Sequence, residues 1–119
     1  MKILIDCPAE RAVYFLGGKW KIRILFALLQ SKKIRFGQLK KGLKTITQQM
    51  LSKQLKELEV DGIVNRKVYQ VVPPKVEYSL TEFGFSVMPI LRSFSEWNKR
   101  NTRTISLKLN KHFEENRIR

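Results

Sequence analysis

The sequence predicts an α+β fold that is mainly α-helical, and two observations lead to this fold class. The first half of the chain carries apolar residues at helical spacing, and the clearest case is the stripe of Leu51, Leu55 and Leu58. Two later segments, 63–72 and 76–80, are rich in Val and Tyr and are separated by a stiff stretch with two prolines, which indicates a β-hairpin. At 119 residues with 43% apolar content, the chain fits one globular domain over 1–119.

Four elements are predicted before the leucine stripe. A short helix over 8–16 begins at a proline and ends before two glycines, which we interpret as helix punctuation and not as a phosphate loop. A second helix over 20–30 is apolar on most sides, so it should lie at the centre of the domain. A strand fragment at 34–35 leads into a third helix over 36–43.

The leucine stripe belongs to a helix over 47–61, with Thr47 as N-cap and Gly62 as C-terminal stop. Its acidic residues fall only in the last turns, against the preference of the helix dipole. A helix that points its N-terminal half at phosphates has this polarity, whereas a solvated helix should mix its charges. The face opposite the stripe is polar and basic and comprises Gln48, Gln49, Ser52, Lys53 and Lys56.

After the hairpin, Thr81 should cap a last long helix, and Pro89 should kink or break it. The basic segment 99–119 has apolar residues at helical spacing, but its structure stays ambiguous. The complete order is helix, helix, short strand, helix, helix, strand, loop, strand, helix. This order predicts a winged helix-turn-helix, with 47–61 as recognition helix, a wing at about 70–76 and extra terminal helices for dimerisation.

Charge points to an anionic partner. With 24 basic and 10 acidic residues the net charge is +14, and no acid occurs from Arg11 through Lys56, where twelve basic residues lie. Nucleic acid phosphates or an acidic membrane surface would reduce the electrostatic repulsion among these basic residues. The alternative is a generically basic surface that keeps the protein soluble.

One cysteine, Cys7, and one histidine, His112, leave little material for a metal site, a redox pair or a His-based triad, so we expect no enzyme, no metal and no cofactor. No apolar run reaches the ~20 residues of a membrane span, and the first seven residues are too short for a secretory signal. We therefore expect a cytoplasmic protein that does not bind membranes.

Several motifs together resemble the HxlR-type winged-helix regulators, which are similar to the MarR group. The resemblance covers roughly residues 7–98 and implies transcriptional control of bacterial or archaeal type by a homodimer whose outer helices form the contact. The matching strings are Cys7-Pro8-x-Glu10, Gly17-Gly18-Lys19-Trp20, Arg35-Phe36-Gly37-Gln38-Leu39, Gln49-Met50-Leu51, Leu55-x-x-Leu58-x-x-Asp61-Gly62, Val72-Pro73-Pro74-Lys75-Val76-Glu77-Tyr78-Ser79-Leu80-Thr81 and Gly84.

The side chains themselves suggest roles on double-stranded DNA. Gln48, Gln49, Ser52 and Lys53 are candidates for reading bases, and Lys56 is a candidate for a phosphate contact. Lys75, which we expect at the tip of the wing, is a candidate for contact with the phosphate backbone or the minor groove. The complete set of candidate DNA-binding residues is Thr47, Gln48, Gln49, Ser52, Lys53, Lys56, Arg66, Lys67 and Lys75. The apolar stripe of the last helix is longer than one small core requires and gives the candidate dimer contacts Phe83, Val87, Ile90, Leu91, Phe94 and Trp97.

Two questions stay open at this point. Several members of the resembling family sense oxidants or electrophiles through a cysteine near the position of Cys7, but a small, half-buried structural residue explains it equally well. The leading function is a sequence-specific regulator that binds an inverted-repeat operator as a homodimer. The alternative is a chromatin-like or RNA-binding protein that binds nucleic acids without sequence preference, which the charge favours and the polar Gln and Ser side chains disfavour.

Overall fold

The structure is a computed structural model that describes residues 7–118, with side chains described for residues 7–115. Within this part of the chain two compact units are found, one ending at Ser86 and the other beginning at Val87.

The first unit has the predicted order of elements, and this order confirms the winged helix-turn-helix. The elements are α1 (Pro8–Leu16), α2 (Lys19–Gln30), β1 (Ile34–Arg35), α3 (Phe36–Leu43), α4 (Gln48–Val60), β2 (Val64–Tyr69), β3 (Lys75–Leu80) and α5 (Glu82–Phe85).

The core of this unit forms where the helices meet the sheet. Helix α2 supplies Ile24, Leu25 and Leu28, each at most 1% exposed, which confirms its predicted central place. Helix α2 contacts α3, α4 and β3. The α4 stripe of Leu51, Leu55 and Leu58 is buried to the same degree, so the orientation of α4 is fixed by apolar burial.

The described strands form a three-stranded antiparallel sheet in the order β1-β3-β2. The hairpin strands are in register from Val64 opposite Leu80 to Tyr69 opposite Lys75. Strand β2 is shorter than the predicted 63–72 because its pairing ends at Tyr69, and residues 70–74 form the connecting loop. We call residues 70–76 the wing.

A close contact joins the end of the hairpin to the end of α4. The Thr81 hydroxyl donates toward the carbonyl oxygens of Gly62 and Ile63, at 2.5 and 3.1 Å, and accepts from the Gly84 amide at 3.0 Å. At Gly84 an added Cβ would collide with the carbonyl oxygen of Ile63, so only glycine fits here without movement of the backbone.

The second unit consists of α6 (Met88–Arg100) and α7 (Thr102–Ile118), which contact each other. The predicted break near Pro89 is confirmed: α5 ends at Phe85, and the proline occupies the first turn of α6, where it costs no helical hydrogen bond. The segment that was ambiguous in sequence belongs to α6 up to Arg100 and to α7 from Thr102. None of the described helices is long and apolar enough to span a membrane.

Candidate nucleic-acid interface

The recognition helix begins at a side-chain cap. Thr47 has extended backbone angles, and its hydroxyl oxygen accepts a hydrogen bond from the Met50 amide at 3.1 Å. This cap satisfies one of the amides that a helix start leaves without an intrahelical partner. The first turn of α4 contains no acidic residue, so its positive end is not neutralised locally.

The face of α4 that points away from the leucine stripe is open to solvent. The exposed side chains on it are Gln48, Gln49, Ser52, Lys53 and Lys56. All five belong to the predicted set of DNA-binding residues, and they lie together over the first three turns. The helix thus presents amide, hydroxyl and ammonium groups on one side and buries leucines on the other.

An ion pair fastens the C-terminal half of α4 to the central helix. The Lys21 Nζ atom lies 2.8 Å from Glu57 Oε2, and the Lys21 side chain is only 11% exposed. The hydrogen bond from the Lys21 ammonium holds the pKa of the Glu57 carboxyl below its usual range. Sequence reasoning assigned Glu57 only to the acidic end of the helix, because the partner comes from a distant segment.

A polar cleft of about 360 Å³ lies between α4 and the sheet. It contains Ser52 and Lys56 from the helix and Arg66 from β2, and Tyr78 and Glu59 also line it. Arg66 is the cross-strand partner of the buried Tyr78, so its side chain belongs to the sheet face that carries the core. The structure therefore brings Arg66 next to two of the α4 candidates.

The other basic residues of the hairpin lie on the opposite face of the sheet. Lys67 and Lys75 place their Nζ atoms 4.8 and 4.9 Å from the centre of the Tyr69 ring. The Lys75 Nζ atom is also 3.7 Å from Glu77 Oε2. Hydrogen bonding between the Tyr69 hydroxyl and the Glu77 carboxylate lowers the pKa of Glu77 and raises the pKa of Tyr69.

Lys75 does not lie at the tip of the wing, where the sequence placed it. It is the first residue of β3, opposite Tyr69, and the tip consists of residues 71–74 with Val72 almost completely exposed. The reason is that β3 begins at Lys75, one residue before the Val76 start that the sequence predicted, so Lys75 is already paired with Tyr69.

Cys7 is exposed and stands immediately before α1, where its carbonyl oxygen accepts a hydrogen bond from the Arg11 amide at 3.1 Å. Among the described residues, no group of three or more His, Cys, Asp or Glu side chains could hold a metal ion.

The candidate dimer residues divide into two groups. Val87 and Leu91 are buried at 7% and 1% exposure, so their side chains are already covered. The four that remain open to solvent are Phe83, Ile90, Phe94 and Trp97.

A capped helix with a polar outer face, followed by a hairpin with basic side chains, defines a winged helix-turn-helix protein. The family model of the HxlR-like helix-turn-helix proteins matches residues 15–106. The chain belongs to this family. The match starts after Cys7 and extends beyond residue 98, into α7.

Known proteins agree with this membership. An HTH-type transcriptional regulator of Halalkalibacterium halodurans is 48% identical over 101 residues, which cover 85% of this chain and 89% of that protein. The structure of the redox regulator HypR in its reduced form is similar with a TM-score of 0.79 and 45% identity, over 84% of this chain and 98% of HypR. The reduced form of the transcriptional regulator YodB from B. subtilis gives a TM-score of 0.71 and 34% identity, over 81% and 94% of the two chains.

The family and these relatives establish the general class of function. The protein is a transcriptional regulator with a helix-turn-helix, not an enzyme. Membership implies DNA binding.

Proposed function

We propose that the protein is a homodimeric, sequence-specific regulator that inserts α4 into the major groove of an operator and lays the wing on the flanking backbone. The exposed face of α4 carries this proposal. Gln49 and Lys53 lie four residues apart on that face, and their long side chains offer the donors and acceptors that base edges present in the major groove. Lys56 and Arg66 border the same cleft and suit the phosphates beside the groove.

Exposed apolar side chains support the homodimer. In α6, Ile90, Phe94 and Trp97 follow each other at intervals of four and three residues and are 41–58% exposed. Such spacing places them on one helix face, and an apolar face of this kind is typical of a protein–protein contact. In α1, Val13 and Tyr14 are more than half exposed. A two-fold dimer would cover these faces with the same faces of a second copy.

The signal that we propose is oxidation of Cys7. The thiol is exposed at the start of α1, and the relatives HypR and YodB carry redox states in the names of their structures. Hydrogen peroxide would oxidise the Cys7 thiols of two subunits: an S–S bond replaces the two S–H bonds, and the two protons and two electrons reduce the O–O bond to two molecules of water. If a low-molecular-weight thiol takes the place of the second Cys7, the same oxidation by peroxide gives a mixed disulfide. Cys7 stands immediately before α1, whose exposed apolar face we place in the dimer contact. A disulfide at Cys7 would therefore alter this contact and change the spacing of the two recognition helices.

General nucleic acid binding is the second candidate, and the net charge of +14 favours it. Phosphate contacts alone would satisfy the charge without any reading of bases. Both candidates place the protein where the chromosome is, which is the cytoplasm of a bacterial or archaeal cell.

A competition titration separates the two candidates. The affinity for DNA from the promoter of the protein's own gene is measured against random DNA of equal length, at rising salt concentration. A sequence-specific regulator retains a ratio of about 10³ or more between the two affinities at physiological salt. A ratio near one on every candidate promoter fragment, with both affinities falling together as salt rises, would establish the general binder.

A further inference from the structure

Glu77 is the one acidic residue in the three described strands, and basic side chains surround it. Arg35 on β1 and Lys67 on β2 are its cross-strand partners, and Lys75 lies two residues before it on the same strand. Directly opposite residues of antiparallel strands share one face of the sheet. The carboxylate therefore lies within a group of cations on the outer face of the hairpin.

The wing lysine is held in this group by two contacts. Its ammonium lies 3.7 Å from the Glu77 carboxylate and 4.9 Å from the centre of the Tyr69 ring. Only 37% of the Lys75 side chain and 15% of the Glu77 side chain are exposed, so neither group is fully surrounded by water. A DNA phosphate that approaches Lys75 meets an ammonium that already has an anionic neighbour.

We propose that the Glu77 carboxylate competes with DNA phosphate for the Lys75 ammonium. The two side chains form an ion pair in the free protein, and this pair breaks when the wing contacts the DNA backbone. This inference rests on the proposed placement of the wing on DNA. In the free protein and in the DNA complex alike, the Lys75 ammonium lies beside an oxyanion. Because the carboxylate contact is lost when the phosphate contact forms, the phosphate contact adds less binding free energy. A phosphate contact carries no base information, so operator and random DNA are weakened by the same factor.

The test is a double-mutant cycle on Glu77→Gln and Lys75→Ala, with affinities for operator and random DNA at low salt. Gln keeps an acceptor for the Tyr69 hydroxyl and removes the charge. We expect Glu77→Gln to tighten binding to both DNAs by about threefold to fivefold. A change of this size corresponds to the interaction of one pair of charges in a largely aqueous environment. In the Lys75→Ala background the same substitution should have a clearly smaller effect, because the competition requires the ammonium.

A matched control is Glu82→Gln, which removes one exposed carboxylate elsewhere in the first unit. An equal gain from Glu82→Gln, an equal factor in both Lys75 backgrounds, or weaker binding by Glu77→Gln would each overturn the proposal. Thermal unfolding of every variant verifies that the hairpin is folded, and Glu77→Asp, which keeps the charge, should bind DNA like the wild type.

The cycle also separates this inference from the proposed function. If Lys75→Ala weakens both DNAs but Glu77→Gln changes neither, the wing binds DNA and only the competition is wrong. If Lys75→Ala leaves both affinities unchanged, the wing does not contact the DNA through Lys75. The proposed placement of the wing and the proposed competition by Glu77 are then both wrong.

Discussion

Gly84 lies where the chain turns out of the sheet into α5, against the carbonyl oxygen of Ile63. A methyl group there would force the two backbone segments apart, so Gly84→Ala should lower the free energy of unfolding by about 1–3 kcal/mol. Gly37 is the matched control, because it lies in the first turn of α3 with open space around an added Cβ. Gly37→Ala should raise stability by about 0.4–1 kcal/mol. Urea denaturation of both variants measures these changes, and equal effects would contradict the assigned close contact.

Cys7 is the residue on which the proposed signal depends. If it senses oxidants, mild peroxide or a quinone should change the DNA affinity of the wild type and leave Cys7→Ser unchanged. Exposure of the thiol makes this reaction sterically accessible. The measurement is operator binding before and after treatment, with reversal by a reductant as the control. The same response in both proteins would remove Cys7 as the sensor. The half-buried structural role that the sequence also allowed does not agree with the structure, because Cys7 is exposed.

At the scale of elements, the recognition helix and the wing should differ in the kind of contact they make. Gln49→Ala should weaken binding to the operator by roughly 1–3 kcal/mol and change binding to random DNA little, because only a base contact is lost. Lys75→Ala should weaken both and should flatten the plot of log affinity against log salt by about one unit. Titrations of both variants on both DNAs measure this difference.

Two controls accompany these variants. Gln54 lies on α4 but is half-buried, with its amide against the Met50 sulfur, so Gln54→Ala should leave the ratio of the two affinities unchanged. Lys111 is exposed on α7, outside the first unit, so Lys111→Ala should affect the salt dependence less than Lys75→Ala. A uniform loss from Gln49→Ala, or a loss from Lys75→Ala on the operator alone, would reverse the two roles.

The elements of the first unit were largely predictable, because their signals are local. The helix over 47–61 has a cap, a leucine stripe and a terminal glycine within one segment, and the structure places α4 within a residue of that prediction. The break before Pro89 was predictable for the same reason. By contrast, the apolar residues at helical spacing in 99–119 left its structure ambiguous, and Leu107, Leu109 and Phe113 of α7 are exposed, so this helix is not marked by a buried face.

The contacts between elements could not be predicted, because they depend on register. The pair of Lys21 and Glu57 joins residues 36 positions apart through the packing of α2 on α4. The group around Glu77 arises only when the hairpin pairs Tyr69 with Lys75, and a shift by one residue would place these side chains on opposite faces. Composition identified the basic residues of the candidate interface, while their arrangement into a cleft on one sheet face and a cation group on the other required the fold.

At the scale of the whole molecule, the net charge and the exposed apolar faces have opposite effects on dimerisation. Two chains of charge +14 repel each other, so a stable dimer requires enough apolar burial to overcome this repulsion. The exposed aromatic residues Phe94 and Trp97 are suitable for such burial because each buries a large area. We expect light scattering at micromolar concentration to give twice the chain mass of 14.0 kDa.

A charge placed in the proposed contact should separate the subunits. Phe94→Asp should give the mass of one chain, because a carboxylate buried in an apolar contact has no partner there. Val72→Asp is the control, since Val72 is an apolar, 99% exposed residue of the wing, and its substitution should leave the mass of the dimer unchanged. A wild-type mass near one chain, or a dimeric Phe94→Asp, would refute the proposed contact.

The proposed dimer also predicts the geometry of the operator. Two recognition helices related by a two-fold axis read the same face of DNA only when the half-sites are one helical turn apart, about 34–36 Å, or a multiple of it. Inserting about 5 base pairs between the half-sites should turn one of them to the far side of the duplex and reduce wild-type affinity towards the level of a single half-site. Inserting about 10 base pairs restores the face, although it changes the distance. Monomeric Phe94→Asp should bind all three operators alike, because it has no second helix to align. Equal wild-type affinity for the original and the half-turn operator would show that the two half-sites are not read by one rigid dimer.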